Sequence, residues 1–115
     1  VDALADFVGS RADNGRFLLM GDFNALPGSP VYERVQANLG VHDAFSEAMG
    51  LPPEQLRSKW PTCGFLHLRM RLDHVFVGGG LGGVSFDGTH PFGDPRGHWH
   101  GLSDHVPILG AFTPA

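Results

Sequence analysis

The sequence predicts a mixed α/β (α+β) fold of many short elements, with one mostly antiparallel or mixed sheet and flanking helices. Three observations lead there. Apolar residues recur at helical spacing in two stretches, Val1 to Val8 and Val31 to Leu39. Apolar runs of strand length occur at Arg16 to Met20, Leu66 to Val77 and Val106 to Phe112. Seventeen glycines and nine prolines are interleaved with these runs and form no low-complexity tract, so the connections are tight and numerous.

Along the chain, Val1, Leu4, Ala5 and Val8 share one side of an amphipathic helix. Asp13-Asn14-Gly15 signals a turn, and Arg16-Phe17-Leu18-Leu19-Met20 has the continuity of a strand buried on both faces, ending at Gly21-Asp22-Phe23-Asn24. Ser29-Pro30 reads as an N-cap followed by proline at the first helical position, with Val31, Val35 and Leu39 on one face and Gly40 as C-cap. His42 to Met49 suits one or two helical turns, and Leu51 to Pro61 suits a loop with a brief helical piece at Glu54 to Arg57. Leu66 to Val77 reads as one long strand, with Leu72, His74 and Phe76 on one side and Arg71, Asp73, Val75 and Val77 on the other. Gly78-Gly79-Gly80 breaks it; Val84-Ser85-Phe86 is a candidate strand, Gly88 to Gly101 a Gly/Pro/His-rich loop and Val106 to Phe112 the closing strand.

At 115 residues and 42% hydrophobic, the chain can bury one small core. A net charge of -4 offers a polyanion no overall attraction, which argues against a nucleic-acid module while leaving room for a local arginine patch. The single Cys63 has no partner for an internal disulfide, and no apolar run is long enough to span a membrane. Because the chain opens at Val1, any targeting segment is expected upstream.

Three short constellations carry chemistry-bearing side chains. At Gly21-Asp22-Phe23-Asn24 a buried strand stops, and in extended geometry Asp22 and Asn24 point to one face while Phe23 points away. A carboxylate at a strand end can orient a water or help hold a hard cation such as Mg2+, although a turn stabilised by local hydrogen bonds accounts for the same residues. In Arg71-Leu72-Asp73-His74 the aspartate lies among apolar neighbours and needs a cation, a histidine or backbone donors, an arginine salt bridge being the plain alternative. Ser103-Asp104-His105 puts a carboxylate beside an imidazole that titrates near neutral pH; the two share a site only if the junction is irregular, and an ST-type turn is the plain alternative.

Their order is informative. Gly-Asp-Phe-Asn at a strand end, Arg-Leu-Asp-His in a later strand and Ser-Asp-His before the final strand resembles the endonuclease/exonuclease/phosphatase superfamily, which includes exonuclease III-like nucleases, deoxyribonuclease I-like enzymes and neutral sphingomyelinases. The likeness runs from about Phe17 to Phe112 and includes the Pro-initiated helix after the first motif and Trp60-Pro61 ahead of the second. It implies a four-layer α/β/β/α sandwich, of which residues 1–115 form a single partial domain, the C-terminal half. It also implies a metal-dependent phosphoesterase in which Asp22 orients or deprotonates the attacking water and Asn24 contacts the phosphate. Asp73 then pairs with His105, and Asp104, with Asp22, lies at a divalent cation, Mg2+ or Mn2+. The substrate implied is a phosphodiester or phosphomonoester of a nucleic acid, a phospholipid or a small phosphate ester.

The first half of the family domain contributes an early Asn, a metal-binding Glu and a further His or Tyr, and Glu33, Glu47 and Glu54 are unsuited to replace that Glu. Weak turnover is therefore expected of this stretch alone. Its expected partners are the missing N-terminal half or a second copy bound through an exposed sheet face. Two other functions compete: a non-catalytic binding module that keeps the fold, and a His-rich zinc-binding protein using His90, Asp94, His98, His100 and His105, whose spacing fits no zinc pattern. A variable loop beside the active site, with Trp99 as a stacking surface, accounts for that stretch better.

Overall fold

The computed structural model describes residues 1–12, 16–57, 60–65, 68–87 and 103–114. The chain is α+β: helices α1 (Asp2–Arg11), α2 (Pro30–Leu39), α3 (Ala44–Met49) and α4 (Pro53–Leu56), and strands β1 (Leu18–Asp22), β2 (His42–Asp43), β3 (Cys63–Phe65), β4 (Leu68–Met70), β5 (Asp73–Val77), β6 (Leu81–Asp87) and β7 (Leu109–Pro114). All strand pairs are antiparallel and fall into three ladders, β1-β5-β2, β3-β4 and β6-β7. None of the described helices is long and apolar enough to cross a membrane.

The β1-β5-β2 ladder organises the core because strand side chains alternate between its faces. Phe76 of β5 joins Tyr32 and Val35 of α2, with Ala25 and Val41, in one cluster, against which Phe17, Leu19, Phe23 and Leu39 pack. On the other face Val75 and Val77 meet Ala44 of α3 and Leu81, Phe86 and Phe112 of the β6-β7 hairpin. The alternation expected from Asp73 to Val77 is thus realised.

The ends of α2 follow the sequence: Pro30 opens it and Gly40, at φ 64°, closes it in the left-handed region where a Cβ is disfavoured. Its buried face differs, being Tyr32 and Val35, whereas Val31 is 48% exposed. At α1, Leu4, Ala5 and Val8 are half-buried, as the helical spacing predicts.

Four expectations are corrected. The strand after the first turn is not buried on both faces: Leu19 is half-buried against the Phe76 cluster, but Met20, pointing to the opposite face, is 61% exposed. Leu66 to Val77 is not one strand. Between β4 and β5, Arg71 is buried against the Phe45 ring at 3.9 Å, and the Leu72 N–H turns to the Thr62 hydroxyl, so the chain changes partners from β3 to β1. His42 and Asp43 form β2, with only Ala44 onward helical, since Asp43 accepts from the N–H groups of Phe45 and Ser46 and starts α3 there. The closing strand begins at Leu109, because the Val106 N–H is taken by Thr62 O and Pro107 has no N–H to give. The turn at 13–15 and the loop at 88–101 lie outside the described residues.

Candidate active site

Asp22 ends β1 and Asp73 begins β5, and the register places them directly opposite each other. Cross-strand partners share a face, so two carboxylates project side by side, an arrangement that repels unless a cation lies between. The segment 103–106 brings an imidazole to them. His105 forms an isolated antiparallel bridge with Cys63, and Gly64 N–H donates to Asp104 O while Val106 N–H donates to Thr62 O. The imidazole Nδ1 is 2.7 Å from Asp73 Oδ2, and Nε2 is 3.8 Å from Asp22 Oδ2 and 3.9 Å from Asp104 Oδ1.

The three motifs therefore converge. One ligand-type atom from each of Asp22, Asp73 and His105 lies within 4.8 Å of the others, with Asp104 on the outer side of the ring. Among the described residues, Asp73 is hydrogen-bonded by His105 Nδ1 and by the Thr62 hydroxyl, each at 2.7 Å. The junction at 103–105 is irregular, as a shared site requires, and it is also an ST turn, with the His105 N–H donating to Ser103 Oγ at 3.0 Å.

At the first motif the extended geometry is overturned. The strand stops at Asp22, and Asn24 adopts φ 48° in the left-handed region, its backbone N–H donating to Asp22 Oδ1 at 2.8 Å. Such an Asx turn is open to asparagine, whose short polar side chain tolerates that region. One Asp22 oxygen is thereby fixed by the turn while the other faces His105. Asn24 is exposed and reaches Asp22 through its backbone, outside the carboxylate–imidazole cluster.

The hydrogen bond to Asp73 is the main cause raising the His105 pKa above its ordinary value, with the charges of Asp73, Asp104 and Asp22 adding to it. Protonated His105 stabilises the fold by an amount fully present below about pH 6.5 and lost as pH rises through the raised folded value. The stability gap between the wild type and His105→Gln, measured by urea unfolding with a chelator present, is expected to be widest below that pH and to narrow above it. A pH-independent gap would contradict this.

The neighbouring His74 is different in kind. Its side chain is buried on the opposite face among Phe23, Tyr32 and Phe76, Nε2 donates to Ala25 O at 2.6 Å, and burial pushes its pKa down. It is a core histidine held neutral. Cys63 is also buried, and desolvation, with Asp104, Asp73 and Asp22 adding, pushes its thiol pKa up, so it stays protonated and is no nucleophile.

Thr62 is the site residue that the motifs missed. It is 2% exposed and lies between Trp60-Pro61 and β3. A threonine ahead of a strand carries no signal of its own; only the fold brings it to Asp73. Of the proposed zinc cluster, only His105 is described; His90, Asp94, His98 and His100, with Trp99, lie outside the described residues.

A profile described as the Endonuclease/Exonuclease/phosphatase family matches residues 2–105. No curated protein and no solved structure matches the chain.

Proposed function

The chain belongs to the endonuclease/exonuclease/phosphatase family, and from that premise we propose that it contributes the site of a divalent-metal-dependent hydrolase of phosphodiester or phosphomonoester bonds. The observation that carries the reading is the His105 ring, held at Nδ1 by Asp73 and turned at Nε2 toward Asp22 and Asp104. The second ring nitrogen faces two carboxylates whose side chains are 40% and 64% exposed, where a cation and a substrate have access.

The donor set suits a hard cation. Asp22 and Asp104 offer carboxylate oxygens on an open surface, and Mg2+ takes one or two carboxylates while keeping several waters. Those two residues would hold Mg2+ or Mn2+, which when bound neutralises charge developing on the phosphoryl oxygens. The Oδ2 of Asp22, on the side facing His105, orients the attacking water and accepts its proton, while Oδ1 stays tied to the Asn24 N–H. Protonated His105 donates from Nε2 to a phosphoryl oxygen, its ring fixed by Asp73. The Asn24 amide donates to a second one. Water oxygen bonds to phosphorus, the ester P–O bond breaks, and the leaving oxygen takes a proton from solvent.

The test is hydrolysis of bis(p-nitrophenyl) phosphate by this chain with Mg2+ or Mn2+, before and after chelation. Turnover is expected to be slow, to disappear with EDTA and to return with added metal. In parallel, Mn2+ is expected to broaden the NMR signals of Asp22, Asp104 and His105 before those of α1. Absence of both effects would reject the metallohydrolase and favour a binding module that keeps the fold.

A further inference from the structure

We propose that Thr62 is the positioning residue of this site, its hydroxyl holding Asp73 and its backbone holding the His105 segment. The catalytic consequence rests on the phosphoesterase reading above; the positioning itself does not.

A hydroxyl has one proton and two acceptor lone pairs. At Thr62 all three are committed: the N–H groups of Leu72 and Asp73 each donate to Oγ1 at 3.1 Å, so the hydroxyl proton goes to Asp73 Oδ2 at 2.7 Å. The orientation of this hydroxyl is therefore set by its surroundings. That same Oδ2 accepts from His105 Nδ1 at 2.7 Å, so two donors converge on one oxygen and fix the plane of the carboxylate.

The backbone of Thr62 acts on the other partner. Its N–H donates to Met70 O at 2.9 Å, and its carbonyl accepts from the N–H of Val106, the residue after His105, at 2.8 Å. One buried residue thus ties β4, the start of β5 and the 103–106 segment together at the point where Asp73 and His105 meet. Among the described residues, His105 sits in an isolated bridge and not in a strand. With Nδ1–H directed at Asp73, Nε2 is the nitrogen presented to Asp22 and Asp104.

Thr62→Val keeps the volume and removes the hydroxyl; Thr62→Ser keeps the hydroxyl. Both are made in this chain, with folding checked by circular dichroism and thermal melting and assays run well below the lower melting point. In Thr62→Val, metal-dependent turnover of bis(p-nitrophenyl) phosphate is expected to lose about 10- to 100-fold in kcat with KM little changed, the size found for residues that orient a ligand from behind. Thr62→Ser is expected to restore most of it. Added to Asp73→Asn, Thr62→Val is expected to cost nothing further, since it acts through Asp73.

A second readout needs no turnover. The hydrogen-bonded His105 Nδ1–H is expected as a protected downfield proton resonance in the wild type and in Thr62→Ser, and to be lost by exchange in folded Thr62→Val. Persistence of that resonance in Thr62→Val, or a loss of activity that multiplies with Asp73→Asn, overturns the assignment. If the wild type shows no turnover at all, the phosphoesterase reading falls, and the resonance alone decides the role of Thr62.

Discussion

Asp22→Ala is expected to lower metal-dependent phosphoester hydrolysis by about 10³-fold or more while leaving the fold intact, because in the proposed mechanism one side chain serves both the attacking water and the cation. The two effects separate because Asp22 is at the exposed end of β1 and supports little structure. Its Oδ1 accepts the Asn24 N–H at 2.8 Å and its Oδ2 lies 3.8 Å from His105 Nε2, while it stands opposite a like-charged Asp73, so removal relieves repulsion as it loses these two contacts. Stability is expected to change by no more than about 0.5 kcal/mol, the range of ordinary surface substitutions. Asp22→Asn sharpens the test. Its amide oxygen still accepts the Asn24 N–H, so the turn survives while the charge is gone. If activity needs the carboxylate, Asn is as impaired as Ala; if it needs only the turn, Asn is active. Steady-state hydrolysis with urea unfolding of each variant decides it, and an active, normally folded Asp22→Ala would remove Asp22 from the chemistry.

Local signals made much of this legible in the sequence. Pro30 and Gly40 bound α2 because each acts on its own backbone, by fixed φ and by tolerance of the left-handed region. The pairing of Asp73 with His105 followed from a resemblance; nothing in the spacing of two residues 32 positions apart dictates it, and the geometry places them 2.7 Å apart. What stayed hidden depends on tertiary partners. Met20 reads as core from its neighbours, yet its exposure is decided by what lies over the β1 face. The break at Arg71-Leu72 is invisible to an alternation count because the Phe45 ring and the Thr62 hydroxyl draw those two residues out of the strand. Asp43 reads as part of a helical stretch in the sequence, yet its buried carboxylate accepts from Tyr32, Phe45 and Ser46.

Asp43→Ala is accordingly expected to destabilise the chain by about 3–5 kcal/mol, a large share of the roughly 5–15 kcal/mol that holds a small domain together. Asp43 is 2% exposed and has three tasks. Oδ2 accepts from the Tyr32 hydroxyl at 2.6 Å, and burial, with Asp43 itself adding, raises the phenol pKa so that it remains a donor. Oδ1 accepts from the N–H groups of Phe45 and Ser46 and caps α3. Its charge also opposes the desolvation that pushes the pKa of Arg71, itself 3% exposed, downward. Alanine leaves a buried phenol unpaired, a helix uncapped and a buried guanidinium with less negative charge near it, Asp73 remaining; the losses share one network, so they do not add in full. Asp43→Asn, which keeps the cap and drops the charge, is expected to fall between. Arg71 NH1 also donates to Trp60 O at 3.1 Å, which links this buried residue to the segment that carries Thr62. Urea midpoints at unchanged m-value measure the loss, and a double-mutant cycle with Arg71→Met measures how much of it is charge. A shift equivalent to less than about 1 kcal/mol in Asp43→Ala would mean that water or rearrangement replaces the carboxylate, and that the buried network contributes little to the stability of the site above it.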